Sequence, residues 1–389
     1  MKRSKTIVLA GLLFMLLAST ACNPGYLGLF ASIAGENDFR VDPTAAFKAA
    51  SSSSLVQFNG KYYAALSRLW ERAEADGSLW TVPAATKDYL VDSLVVSGAT
   101  LYAAFRDDAG LSVGVLSTVD GSTWDSAALP ITLGAGHELR GLLAANNLVL
   151  AWSEKFTAAA GDIPASSVYS LHYLAGAVFT AGPADLSSGL PHSLMWDGSN
   201  YWLGTGNGLY RGLDGAALAA VTLVGAAATA SDQFSSLVYD TGRYFMTSSG
   251  GKLYSATDGT TWAVSQGPAN TSFTTAFVID GLTTDSYLLL GTRTYTASST
   301  TYEADGYWQF DISDWIAGTA LTEAIRSYDP IASRTNFDTS IGNSVIVRLA
   351  AFDTIDGKKQ LFACTLGNGL WSNQRVDGTW AGWRRESDR

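Results

Sequence analysis

The chain has 389 residues, a formal charge of −10 and a pI of about 4.8. Because it is acidic and contains no run rich in Lys and Arg, we expect no nucleic-acid partner and no attraction to an anionic lipid surface. Its length is more than one ordinary domain needs, so it predicts either several domains or a repeat architecture.

The N-terminus has the pattern of a secretory signal. A basic segment (residues 2–5), an apolar run (residues 7–17) and a row of small residues lead to Cys22. The apolar run is too short to predict a membrane-spanning helix. We therefore predict a lipoprotein signal peptide over residues 1–21, and its removal changes the formal charge to about −13.

Cys22 follows the small residues directly, which resembles the lipobox of bacterial lipoproteins, where the cysteine becomes the first mature residue and carries the lipid. Ser19 stands where such boxes usually have Leu, so ordinary cleavage near Ala21 is the alternative. Acyl chains contribute about 0.8 kcal/mol per buried CH2, enough for a multiply acylated cysteine to anchor the protein. Asn23, rather than Asp, favours the outer membrane under the sorting rule of well-studied envelopes. The sequence predicts a lipidated tether over residues 22–45 in a bacterial cell envelope, with its membrane face open.

Cys364 is the second of only two cysteines. With Cys22 assigned to lipid attachment, no intramolecular disulfide is expected. The sequence around Cys364 predicts a small hydrophobe buried in a strand rather than a reactive thiol.

A repeated unit occupies the rest of the chain. It starts with an apolar run and a turn, continues with an alternating aromatic run, and ends with Asp-Gly and Thr-Trp; the clearest copy is Ser235–Ser265. Five copies are recognisable and two are weaker. The glycines of the recognisable Asp-Gly pairs lie 44, 94, 44 and 119 residues apart, which correspond to one or two units. The spacing predicts an all-β fold over residues 46–389, a seven-bladed β-propeller, with six or eight blades as alternatives.

Local chemistry supports short strands inside each unit. Asn-Gly and Asp-Gly pairs between apolar runs favour tight hairpins, and alternating aromatic and β-branched residues favour strands. Helical patterns are confined to residues 43–50 and residues 312–326. The glycine-rich runs at 204–208 and 367–370 occupy equivalent places and predict turns, not phosphate sites.

An eight-residue phrase, Ser-x-x-Asp-Gly-x-Thr-Trp, occurs twice and resembles the Asp-box, the bacterial neuraminidase repeat. Both copies place Asp directly before Gly, a shortened form of the family pattern. The resemblance implies a turn between the third and fourth strands of a blade, at the outer rim, closed by Asp and underpinned by Trp. We predict a structural role, not acid catalysis or metal binding, for Ser117, Asp120, Gly121, Thr123, Trp124, Ser255, Asp258, Gly259, Thr261 and Trp262.

The resemblance makes sialidase the enzyme to test. That family grips a carboxylate with three arginines, the first in an Arg-Ile-Pro phrase, and uses a Tyr nucleophile, a Glu and an Asp acid/base. No Arg-Ile-Pro occurs here, so sialidase activity is disfavoured. The scattered arginines are interpreted as solvated or locally paired charges: Arg68, Arg140, Arg211, Arg243, Arg293 and Arg348.

The sequence contains no motif for another kind of catalytic, cofactor-binding or metal-binding site. The spacing of His137, His172 and His192 does not resemble a metal site, although His192 can face a central channel. We assign no catalytic, cofactor-binding or metal-binding residue and expect no cofactor.

Three insertions break the repeat and are better binding candidates than the repeat itself: residues 154–167, 297–306 and 316–343. Alternation assigns Trp196, Tyr201 and Trp202 to the core rather than to a ligand surface. The sequence thus predicts a non-catalytic envelope lipoprotein that binds an unknown protein or glycan or serves assembly. The alternative is a glycan-active hydrolase or lyase with a site in the propeller funnel.

Overall fold

The computed structural model describes the chain from residue 51 onward, with gaps. The described residues are 51–52, 54–75, 78–125, 127–159, 165–183, 189–206, 208–224, 233–266, 271–280, 286–297, 299–313, 325–326, 341, 344–376 and 379–386. They belong to one compact unit that spans residues 46–389. The predicted signal peptide, Cys22 and the tether lie outside the described residues.

Antiparallel sheets of neighbouring strands follow one another along the chain, one sheet for each repeat unit. Blades 1 and 2 have three strands each, with a single bridge at the outer edge (Glu71 to Thr81 and Val115 to Leu129). Their strands are β1 (Ser54–Phe58), β2 (Lys61–Leu66), β3 (Arg68–Ala73), β4 (Leu90–Ser97), β5 (Thr100–Arg106) and β6 (Ser112–Thr118), and a 3-10 turn (Ala84–Thr86) separates the two blades.

Blades 3, 4 and 5 have four strands each, in sequence order from the inner to the outer edge. The strands are β7 (Glu138–Ala145), β8 (Leu148–Thr157), β9 (Ser166–Ala175), β10 (Val178–Ala181), β11 (Pro191–Trp196), β12 (Tyr201–Thr205), β13 (Gly208–Gly212), β14 (Ala219–Val221), β15 (Phe234–Asp240), β16 (Arg243–Ser248), β17 (Lys252–Ala256) and β18 (Ala263–Gln266).

Blade 6 carries an inserted hairpin between its second and third strands, and blade 7 gains a C-terminal strand on β27. Their strands are β19 (Phe273–Asp280), β20 (Ser286–Thr292), the inserted β21 (Tyr295–Ala297) and β22 (Thr300–Tyr302), β23 (Tyr307–Asp311), β24 (Ile325–Arg326), β25 (Ile346–Asp353), β26 (Lys359–Thr365), β27 (Leu370–Val376), β28 (Thr379–Trp380) and β29 (Arg384–Arg385). The helix predicted over 312–326 is wrong at its end, because Ile325–Arg326 pairs with β23 as a strand.

Seven apolar clusters fill the seven interfaces between successive blades, including the one between blade 7 and blade 1. In β1, Leu55 packs towards blade 7 and Val56 towards blade 2, because alternate residues of a strand point to opposite faces. Both faces of each blade are therefore buried, and the ring is closed. The fold is the predicted seven-bladed β-propeller.

Glu386 fastens the two ends of the ring. Its carboxylate binds Arg72 of blade 1 at 2.6 Å and the Trp80 indole N–H at 2.6 Å, and it accepts a hydrogen bond from Ser372 of blade 7. Glu386 is only 8% exposed, so the ion pair is shielded from water. This carboxylate thereby joins the first and last blades of the propeller.

Candidate functional site

The inner strands of all seven blades enclose a central channel with a volume of about 820 Å³. The strands are β1, β4, β7, β11, β15, β19 and β25. A channel of this size fits a small ligand or an extended segment. It is the candidate functional site.

One end of the channel is shaped by β-bulges. In blades 2 to 7 the pairing of the first and second strands skips one residue near the start of the inner strand. A bulge leaves the extra residue unpaired and re-aims its side chain. All of the skipped residues line the channel, and we call them the bulge ring: Asp92, Arg140, His192, Ser235, Thr274 and Val347. We call this the bulge end and the opposite one, with the turns between first and second strands, the hairpin end.

The bulge ring was missed by the sequence analysis, which singled out only Arg140 and His192. A signal was present, because each ring residue stands two positions before an apolar residue that begins its repeat, as in Asp92-Ser93-Leu94 and His192-Ser193-Leu194. Aligning the repeats on this position places the ring residues in one column.

Two charges at the bulge end are already paired. Asp92 accepts three hydrogen bonds of 2.6 to 2.9 Å from the Arg106 guanidinium. Arg140 lies 3.1 Å from carboxylate oxygens of both Glu138 and Glu154. These pairs hold the side chains in place, because bidentate and clustered ion pairs fix geometry as well as charge. They leave Asp92 and Arg140 poor candidates for a proton-transfer pair.

Arg348 is different from the other arginines. It follows the bulge residue Val347 in β25, lines the channel, and has no hydrogen-bonding or ion-pairing partner among the described residues. Burial lowers the pKa of Arg348, and only Cys364, its neighbour on β26, offsets that effect. Among the described residues Arg348 is therefore not a locally paired charge, and it is only partly exposed in the wall of the channel.

The position of Arg348 is serine in blades 1, 2, 4 and 5, and in blades 1 and 2 this serine links neighbouring blades. Ser54 Oγ accepts a 2.8 Å hydrogen bond from the backbone N–H of Leu94 in the next blade, and Ser93 Oγ accepts one of 2.8 Å from Leu142. In blade 7 an arginine replaces this small bridging group. The substitution places a cation at a point where the repeat uses a hydroxyl.

His192 also faces the channel at the bulge end. Burial, with a smaller contribution from the nearby Arg293, lowers the pKa of His192 to about 4. The imidazole is therefore neutral near pH 7 and can donate or accept a hydrogen bond without adding charge.

The middle of the channel is apolar. Each blade contributes one apolar side chain to a ring in the channel wall, which we call the apolar ring: Val56, Val95, Leu143, Met195, Val238, Phe277 and Ala350. Ala350 stands two residues after Arg348 in β25. Nearer the hairpin end, aromatic rings join the lining, namely Trp196, Tyr239 and Phe352. Trp196 thus contributes to the channel, whereas Tyr201 and Trp202 are buried as predicted.

Inserted hairpins stand at the bulge end. In blade 3, Glu138 at the start of β7 pairs with Glu154, and β8 and β9 continue past this point to the pair Thr157–Ser166. In blade 6, the insertion follows Thr292, at the same end, and forms the hairpin β21–β22. These correspond to the predicted insertions 154–167 and 297–306, whereas most of 316–343 lies outside the described residues. The repeat is thus broken beside the mouth with the bulges.

The predicted Asp-box turns lie at the hairpin end, and none of their ten residues lines the channel. Asp120 Oδ1 accepts hydrogen bonds from the backbone N–H groups of Ser122 (2.7 Å) and Thr123 (2.6 Å). Asp258 Oδ1 accepts the same pair from Thr260 (2.8 Å) and Thr261 (2.7 Å). These bonds hold the pKa values of both carboxyls below their usual range.

The glycine of each turn contacts an aromatic ring of the preceding blade. A Cβ on Gly121 would lie 2.1 Å from the Tyr63 hydroxyl, and a Cβ on Gly259 would lie 2.5 Å from the Trp202 ring. Trp262 is 1% exposed and donates a 3.2 Å hydrogen bond to the Gly259 carbonyl. Ser117 donates to Asp125, whereas the buried Ser255 hydroxyl has no hydrogen-bonding partner among the described residues. The turns lock neighbouring blades together.

Cys364 is buried in β26, as the sequence predicted.

The runs 204–208 and 367–370 connect β12 to β13 and β26 to β27. Within the described part of the chain, no three His, Cys, Asp or Glu side chains form a metal-binding cluster, and no helix is long and apolar enough to cross a membrane.

No protein-family model and no curated protein matches this chain. It is similar to the extracellular domain of the putative one-component system BT4673 from B. thetaiotaomicron, with a TM-score of 0.55 and 14% identity over 84% of this chain. The chain spans only 39% of the length of that neighbour. It is also similar to the WD40 β-propeller domain of Doa1, with a TM-score of 0.52, 11% identity, and coverage of 85% of this chain and 95% of that one. At these identities the similarities show the fold alone.

Proposed function

We propose that this protein is a lipid-anchored, non-catalytic binding module of a bacterial cell envelope, and that its ligand, a protein segment or a glycan, enters the central channel. The observation that carries the proposal is the contrast within the channel lining. Seven blades supply one apolar ring in the middle, but their bulge-ring side chains all differ in kind except for two hydroxyls. If the channel lining served only to close the ring of blades, its residues would repeat from blade to blade.

The charges of the channel support binding over hydrolysis or lyase chemistry. A glycan hydrolase needs two carboxyl groups, or a Tyr with a Glu and an acid, at defined separations. Among the described residues of the lining, Asp92 is the sole carboxylate, and Arg106 holds it in a bidentate pair. A glycan-active enzyme would need a second carboxyl group from outside the described lining of the channel.

Blocking the channel tests the site. Ser235→Trp places an indole in the bulge ring, and Val119→Trp, at an exposed turn of the hairpin end, is the matched control. Glycan arrays and peptide libraries would be screened with the unmodified protein and both variants, after their melting curves confirm folding. We expect a ligand retained by Val119→Trp and lost by Ser235→Trp. A ligand that Ser235→Trp binds as well as the control does would refute the channel as the site.

The anchor rests on the N-terminal sequence and is tested separately. Growth with a clickable fatty acid should label the protein, and Cys22→Ser should abolish the label. Cys364→Ser, which alters the one other cysteine, should leave it intact. Label that persists in Cys22→Ser would refute the anchor without touching the binding proposal.

A further inference from the structure

Arg348 places an uncompensated positive charge in the channel wall. The side chain lines the channel without an ion-pairing partner among the described residues, while Asp92 and Arg140 are engaged by Arg106, Glu138 and Glu154. Partly buried charges normally pair, because removal from water is costly. No described residue supplies this partner, and an anionic ligand in the channel would supply it.

The surroundings of Arg348 define the rest of that anion. Arg348, Ala350 and Phe352 are alternate residues of β25 and lie along one side of the strand, so the cation is followed by a methyl group and then by an aromatic ring. At about 3.3 Å per residue, the strand carries Phe352 about 13 Å from Arg348. The apolar ring contributes Val238 and Phe277 at the intermediate depth.

We propose that the channel binds, in addition to the protein segment or glycan of the proposed function, a small organic anion, with a carboxylate paired to Arg348 and an apolar body that extends past Ala350 towards Phe352. The inference rests on the proposed function only in taking the channel as the binding site. A planar guanidinium offers two parallel N–H donors, which match the two oxygens of a carboxylate. A polyanion fits poorly, because the described lining of the channel has one uncompensated cation and the protein carries a formal charge of −10.

Straight-chain carboxylates provide a direct test. Hexanoate, octanoate and decanoate would be titrated calorimetrically against octanamide, which keeps the shape of octanoate without its charge. We expect affinity to rise roughly fourfold per added methylene, as burial of a CH2 predicts, and octanamide to bind at least about tenfold more weakly than octanoate. Equal binding of octanamide and octanoate, or no binding of any carboxylate, would overturn the inference.

Arg348→Met removes the charge and keeps an unbranched side chain that matches the aliphatic part of arginine. It should weaken octanoate at least about tenfold. Arg243→Met is the control, because Arg243 pairs with Asp240 outside the channel lining, and its octanoate affinity should stay within about twofold. If octanoate binds Arg348→Met as tightly as it binds the unmodified protein, the inference fails. The proposed function would still stand if another ligand is lost in Ser235→Trp.

Stability without ligand gives an independent readout. Because Arg348 is uncompensated in the empty channel, Arg348→Met should melt at the same or a higher temperature than the unmodified protein. Arg243→Met should melt lower, since it leaves Asp240 without its partner. A lower melting temperature for Arg348→Met would show that Arg348 serves the fold and would contradict the proposal.

Discussion

The hairpin end and the bulge end of the channel are made by the same strands, yet they differ in how the repeat is used. At the hairpin end, Asp120, Asp214 and Asp258 each accept two backbone N–H groups in the same way. At the bulge end, the positions of the bulge ring are equivalent to one another but carry a carboxylate, a guanidinium, an imidazole, two hydroxyls and an isopropyl group.

The contrast separates residues that maintain the ring from residues available to a ligand. A turn must satisfy the same donors in every blade, so its solution can repeat. A mouth that holds an asymmetric ligand must present different groups from different blades. The inserted hairpins of blades 3 and 6 stand at this second end, which fits the same division.

The largest effect should come from opening the ring on which both ends depend. Glu386→Ala removes the carboxylate that joins blade 7 to Arg72 and Trp80, and we expect a loss of about 3–5 kcal/mol in the free energy of unfolding, because Arg72, whose side chain is only 13% exposed, is left without its anion. Urea denaturation measures it. Asp108→Ala, which breaks the exposed pair with Arg68, should cost less than about 1 kcal/mol. Equal losses of stability in the two variants would show that Glu386 does not hold blade 7 against blade 1.

The packed turns of the hairpin end come next. Gly259→Ala should cost about 3 kcal/mol, because the residue has φ +66° and its new methyl group would meet the Trp202 ring. Gly242→Ala, in the same blade, has φ +86° but open space around it, and should cost only about 1 kcal/mol. Thermal denaturation compares the two. A difference near zero would mean that backbone conformation, not packing on the neighbouring blade, explains the glycine.

At the bulge end, His192 should make stability depend on pH. Its pKa is about 4 when folded and 6.5 ordinarily, so the unfolded chain binds more protons between these values and stability falls as the pH is lowered through that range. We expect the unmodified protein to lose about 2 kcal/mol more than His192→Asn across this range, the imidazole being partly exposed at the mouth. Urea midpoints at several pH values measure the difference. Parallel pH profiles would refute the shift.

The smallest effect on stability should come from the inserted hairpin of blade 6. The rings of Tyr295 and Tyr302 stack at 5.2 Å, but they pack on each other and not on the apolar clusters of the ring. A variant with both changes, Tyr295→Ser and Tyr302→Ser, should change the free energy of unfolding by less than about 1 kcal/mol. A larger loss would make this hairpin part of the fold rather than an addition at the mouth.

Much of the fold could be predicted because its determinants are local. Asp-Gly and Asn-Gly pairs, alternating apolar residues and a regular spacing of units identify strands and turns, and the count of seven units equals the count of blades. The candidate site was less accessible. Arg348 looks like any other strand arginine in the sequence, and its lack of a partner emerges only when six other inner strands surround it.

The sequence by itself determined the repeat, the blade count and the closing chemistry of the turns, because each depends on residues within a few positions of one another. Only the tertiary structure decided which end of the channel carries the irregular side chains, that Asp92 and Arg140 are neutralised and Arg348 is not, and that Glu386 closes the ring. These features depend on contacts between residues as far apart as Arg72 and Glu386, and distance along a chain does not reveal such neighbours.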